Sequence, residues 1–195
     1  MKPNARKLTA LAAGLAALLC LSLAPRRAAA QAAGPSGEAQ TVAAFEARAK
    51  DYSRLREDLE EKLPKLSKEA KPEQIAAHKE TFQGMVRQAR AGAKQGDVFT
   101  PEIAAVIRAV IKSEYAGQEL RELRETVMEA ETQGVPLRVN YPYPESGELV
   151  EMPPTLLLKL PQLPKQLRYR FVGTNLLLVD RENGLIVDYM TSALP

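Results

Sequence analysis

Asp180 and Asp188, near the C-terminus, are the residues whose type and spacing come closest to chemistry. Paired carboxylates perform acid and base work when their surroundings separate their pKa values. Together with Glu182 they could also offer Ca²⁺ the hard oxygen ligands it prefers. Each has a simpler use as well. Asp180 precedes a turn, where an aspartate side chain commonly bonds nearby backbone N–H groups, and Asp188 alternates with apolar neighbours. Arg168 and Arg170 flank Tyr169 and Phe171, a basic and aromatic strip that could hold an anionic ligand. Strand alternation puts the arginines on the face opposite the aromatics, the pattern of a solvated sheet face backed by a core face. His78 is the one imidazole and falls between Ile75 and Phe82 at helical spacing, the position of a structural histidine. No G-x-S-x-G string is present, which leaves serine hydrolysis without its nucleophile elbow.

Composition removes further classes. The 195 residues carry 27 basic and 24 acidic side chains, but the first 30 hold five of the basic ones and no acid. Beyond residue 30 the count is 22 against 24, a net charge of −2, so the chain has no global pull toward nucleic acid. Cys20, the sole cysteine, lies in the leading segment, so the rest of the chain has no disulfide, thiolate metal site or cysteine nucleophile. A histidine-clustered metal site is excluded by the single imidazole. No catalytic, cofactor-binding or metal-binding residue is expected, and no cofactor.

Lys2, Arg6 and Lys7 precede an uncharged run from Leu8 to Ala24, followed by small residues at Ala28, Ala29 and Ala30. This is the pattern of a Sec-type signal peptide cut near Ala30, which predicts a periplasmic or secreted protein that meets a membrane only through that leader. Two alternatives stand beside it. Cys20 could take a lipid, although Leu19 before it is larger than lipoprotein processing prefers. The apolar run could also persist as an anchor, being at the lower limit for a spanning helix.

The elements that must position these residues change period along the chain. Residues 31–38 are small and polar and predict a disordered lead-in. From 39 to about 131 the composition is helical, and three or four helices fit. The first is predicted over 41–63, with Phe45, Ala49, Tyr52, Leu55 or Arg56, Leu59 and Leu63 in one stripe before Pro64. The second begins at Pro72, aligns Ile75, Phe82 and Val86, and stops at Gly96. The third follows the Thr100-Pro101-Glu102 start signal, and Gly117 makes residues 101–131 either one kinked helix or two.

After Gly134 proline becomes frequent and the helical repeat disappears. Leu137, Val139 and Tyr141 alternate as in a short strand, and Thr155 could cap one helical turn before Pro161 and Pro164. Strand-like runs at 168–172, 176–180 and 185–189 are joined by turn-sized links and predict an antiparallel meander. Three strands alone are marginal, so the meander should pack on the helices. The fold class expected is α+β, a helical region at 39–131 followed by a small proline-rich β region at 135–195.

The string PPTLLLKLPQLPKQLRYRFVGTNLLLVDRENGLIVDYM, together with GDVFTPEIAAVIRAVI upstream, resembles a family of uncharacterised exported bacterial proteins with a PP-x-LL, LP-x-LP, YRFVG and IVD pattern. The likeness covers about half of the chain after the leader and implies export and this architecture, with no activity attached. A looser likeness, confined to the hairpin, is to short periplasmic domains, one of them linked to nickel and cobalt homeostasis. The single histidine departs from the His-bearing members of that group.

These observations favour a non-enzymatic binding or assembly module of the bacterial envelope with a protein partner. The segment Leu156 to Leu163 and the hairpin Arg168 to Tyr189 are its expected contact region, with Leu156, Leu160, Leu163, Tyr169, Phe171, Asp180 and Asp188 as the expected contact residues. A carboxylate-dependent hydrolase or lyase using Asp180 and Asp188 is the alternative. A periplasmic helical holdase or stress sensor is a second.

Overall fold

The structure is a computed structural model that describes residues 37–115, 117–129, 136–143 and 150–194, all within the unit Pro35–Pro195. The expected leader and cleavage site, and residues 31–36 of the expected lead-in, lie outside the described residues. The architecture is α+β, with helices first and an antiparallel sheet at the C-terminal end.

Helix α1, Gly37–Glu60, starts four residues before the expected position, so Gly37 and Glu38 belong to a helix and not to a disordered lead-in. Its buried positions Phe45, Ala49, Tyr52, Arg56 and Leu59 step by four and three residues, which keeps them on one face. Helix α2, Pro72–Ala89, opens with proline in the first turn, and the Gln74 side chain reaches back to the Lys71 N–H at 2.8 Å. It ends before Gly96, because Arg90 leaves helical geometry and turns its side chain inward toward Asn140 and Val187. Ile75, expected on its apolar stripe, is half exposed. Helices α3, Pro101–Glu114, and α4, Gln118–Glu129, are separate, and Gly117 between them takes φ +59°, a conformation that side-chain-bearing residues avoid.

The sheet runs β1 (Val150–Glu151), β2 (Leu167–Val172), β3 (Asn175–Asp180) and β4 (Ile186–Met190), in that spatial order and antiparallel throughout. A single helical turn, α5 (Pro154–Leu157), lies between β1 and β2. It is preceded by Pro153 at the capping position, not by Thr155. The β3–β4 register skips Val187, so Val187 and Asp188 both face the helices. This bulge re-aims Asp188.

One sheet face, with Tyr169, Phe171, Leu176, Leu178 and Leu185, joins the helical stripes in the main core. Phe45, Phe99 and Tyr169 stack at that seam, with ring centroids 5.5–6.4 Å apart. The other face carries a smaller cluster of Tyr143, Val172, Leu177, Val179 and Ile186. The expected solvated face is therefore covered in part, by Leu137 and Tyr143 of the segment 136–143, while Arg168 and Arg170 on it stay half-buried. That segment is not the predicted strand. Asn140 takes φ +66° under the hold of Arg90, and the segment meets the chain at the start of β4 through an isolated bridge, Pro142 to Leu185, flanked by backbone hydrogen bonds to Gly184 and Ile186.

Candidate functional site

Asp180 ends β3 fully buried, and both of its oxygens are occupied. Oδ2 accepts from the Tyr52 hydroxyl at 3.1 Å and Arg56 Nε at 3.0 Å, while Oδ1 accepts from the backbone N–H groups of Glu182 and Asn183 at 3.0 Å each. The turn reading of Asp180 thus holds on one oxygen, and a tie to α1 occupies the other. Arg56, buried on the apolar stripe, also donates to Glu60 at 2.7 Å and to Glu182, and its guanidinium lies over the Phe82 ring. Burial lowers the Arg56 pKa, but the three carboxylates outweigh it and leave the net value raised. The Tyr52 hydroxyl is pushed well above its ordinary value, first by burial and then by the charge of Asp180 and the hydrogen bond to it.

Asp188 is also fully buried, and it is solvated by backbone. Gly96 and Tyr189 donate their N–H groups to Oδ1 at 2.9 and 2.8 Å, and Val98 and Phe99 donate to Oδ2 at 2.8 and 2.7 Å. The carboxylate thereby pins the loop that leads into α3, where Gly96 sits at φ +89°. Beside it, Arg90 stacks on Tyr52 at 5.1 Å and bonds Asn140 Oδ1 and the Val187 carbonyl. Burial lowers the Arg90 pKa.

A concave feature lies elsewhere, where α5 and the proline-rich strand entry face β2. A groove of about 530 Å³ is walled by Met152, Leu157, Leu158, Leu160, Leu163 and Pro164. Its charged lining is Lys165, Arg168, Arg170 and Arg181, and no carboxylate lines it among the described residues. Leu157 is 50% and Leu158 84% exposed, because a single turn of helix can turn only one of three consecutive leucines, Leu156, into the core. The Arg168 side chain has no hydrogen-bond or ion-pair partner among the described residues, and its Nε is buried. Lys165 and Arg181 also border a neighbouring cleft with Glu57, Glu60 and Glu182. Those acids are already bonded, Glu60 and Glu182 to Arg56 and Glu57 to Gln166 at 2.6 Å, and neither cation's side chain has a partner among the described residues.

The expected contact residues are thus redistributed. Leu156, Leu160, Tyr169, Phe171, Asp180 and Asp188 are buried in the chain's own interior and offer no free contact surface as drawn from the sequence. Phe171 and Leu156 fill the main core, and the Tyr169 hydroxyl donates to the Pro161 carbonyl at 3.0 Å. Only Leu163 stays partly exposed; with Leu160 and Tyr169 it borders the groove. Asp180 and Asp188 are fully buried apart from the groove, and their acceptor positions go to internal donors. His78 rests half-buried, with Nε2 3.1 Å from the Pro64 carbonyl. No group of three or more His, Cys, Asp or Glu positioned for a metal ion occurs among the described residues.

Sequence reasoning placed Leu157, Leu158 and Arg181 inside the expected contact region without singling them out, and it left Lys165 outside. Two signals could have found them. From Met152 to Val179 the chain has four basic residues and no acid, and Leu156-Leu157-Leu158 is one apolar residue longer than a helical turn can hide. Among the described residues no helix is long and apolar enough to cross a membrane. No family model, curated protein or solved structure matches the chain.

Proposed function

We propose that the protein is an exported, non-enzymatic binding module of the bacterial envelope and that the groove between α5 and β2 receives its partner. The observation that carries this reading is the unpaired state of Lys165, Arg168 and Arg181 beside the exposed Leu157 and Leu158. Charged side chains that answer no internal partner are available to an external one, and exposed leucines add apolar area to the contact. The hydrolase or lyase alternative loses support because Asp180 and Asp188 are buried with their oxygens bonded. The holdase alternative loses its apolar seam, since the stripes of α1 and α3 are buried in the shared core.

The test places a photo-crosslinking side chain at position 158 in the full-length protein expressed in its native host. One dominant adduct in the envelope fraction, lost when Arg168 and Arg181 are changed to Glu, supports the reading. The same adduct from a probe at the exposed Ile75, or an adduct indifferent to those charges, overturns it. Export is checked on the same material by intact mass. The expected species begins within about three residues of Gln31, and a full-length species confined to the cytosol overturns that part.

A further inference from the structure

The geometry points to a single-chain amphiphile with a phosphate head as the ligand of the groove. This deepens the reading of the groove as a binding site and rests on it.

Three observations favour a small amphiphile over a macromolecular surface. The first is shape. About 530 Å³ of concave space lies within the range of small-molecule sites, whereas a protein partner of standard size needs roughly 800 Å² of surface on each side. The second is the division of the lining. Leu157, Leu158 and Leu163 present apolar surface that an acyl chain would cover, and the unpaired cations Lys165, Arg168 and Arg181 border the same space. A phosphate has three acceptor oxygens to a carboxylate's two, which matches three unpaired cations, and guanidinium groups bind it in bidentate fashion. The third is the field. Residues 152–179 hold four basic and no acidic side chains, whereas the remainder beyond residue 30 holds 18 basic against 24 acidic. An anion is therefore steered to this side of an otherwise acidic chain.

The wall is built before a ligand arrives. Pro161 and Pro164 fix the backbone, the Pro161 carbonyl is tied to the Tyr169 hydroxyl, and the Gln162 N–H is tied to Glu46 at 3.1 Å. Little ordering remains to oppose binding.

The test is isothermal titration of the folded chain with dodecyl phosphate below its micelle concentration, against dodecanoate, dodecyl maltoside and inorganic phosphate. Dodecyl phosphate is expected to bind one to one, about tenfold tighter than dodecyl maltoside, with dodecanoate between them and inorganic phosphate weakest. In Arg168→Gln/Arg181→Gln, shown to be folded by its urea midpoint, the preference for phosphate over maltoside should fall below about threefold. Leu163→Asn should weaken every amphiphile while leaving the order of heads intact. Equal binding of charged and neutral heads, dodecanoate as tight as dodecyl phosphate, or inorganic phosphate as tight as its dodecyl ester would each overturn the assignment. If no amphiphile binds and the probe at position 158 still captures a charge-sensitive protein, the ligand class is wrong and the groove reading stands. If both fail, both fall.

Discussion

Arg56, buried on α1, and Arg168, half-buried on β2, both keep guanidinium nitrogen from water, yet Arg56 bonds three carboxylates and Arg168 bonds none among the described residues. The contrast extends to their surroundings. Along the seam between α1, α2 and the sheet, Asp180, Asp188, Arg90, Asn140 and Gln83 each have internal partners. Along the groove, the side chains of Lys165, Arg168 and Arg181 have none among the described residues. A buried charge is tolerated only when it is paired and hydrogen-bonded, so the seam is organised to hold the fold. Unpaired charge beside exposed leucine does nothing for the fold, which frees the groove for a ligand.

The comparison can be broken first at Asp188. Asp188→Ala leaves four backbone N–H groups without their acceptor and should cost about 3–5 kcal/mol in urea unfolding. Asp188→Asn keeps one acceptor oxygen and should cost less, about 1–3 kcal/mol. A loss below about 1 kcal/mol for the alanine variant would remove Asp188 from the seam. Next is Arg56→Met, for which about 2–4 kcal/mol is expected. Most of it should come from the buried pair with Asp180, because the Glu60 and Glu182 side chains are half or more exposed and their pairs are screened by solvent.

The third effect is alkaline. Tyr52 and Tyr169 both have folded pKa values raised by burial. A raised tyrosine favours the folded state fully below the unfolded pKa of about 10 and loses that advantage as pH climbs from there toward the folded value. Stability should therefore be flat in these groups up to about pH 10 and then fall by about 1.4 kcal/mol per pH unit for each tyrosine. Tyr52→Phe should remove one of the two contributions. Urea midpoints at about pH 9, 10.5 and 11.5 measure this, and an unaltered slope in the variant would show that Tyr52 is not enclosed as described. The smallest effect belongs to the groove. Arg168→Met removes a buried donor that has no partner, so stability should stay level or rise by up to about 1 kcal/mol in the same assay.

The α+β architecture was legible because its signals are local. Pro72 and Pro101 mark helix starts, Gly117 marks the break, and the three C-terminal runs are short and rich in apolar residues between turn-forming links. The polar seam was not legible, because it joins residues far apart in the chain. Arg56 reads as the neighbour of Leu55 on an amphipathic stripe, and nothing local reveals Asp180 across 124 positions. Asp188 was likewise read with its strand neighbours, whereas its direction depends on the bulge at Val187 and its partners lie about 90 positions upstream. The same limit misplaced the contact residues. Leu160, Tyr169 and Phe171 are apolar enough for either an interface or a core, and only packing against α1 and α3 decides for the core. The groove was half visible, in an acid-free stretch of 28 residues and in three consecutive leucines that one turn cannot bury together.

The division between seam and groove is tested most directly by the urea midpoint of Arg168→Gln/Arg181→Gln measured against the parent. If the groove cations take no part in holding the fold, the two midpoints agree to within about 0.5 kcal/mol of unfolding free energy. A loss above about 1.5 kcal/mol would mean that these charges are structural after all and would contradict the account.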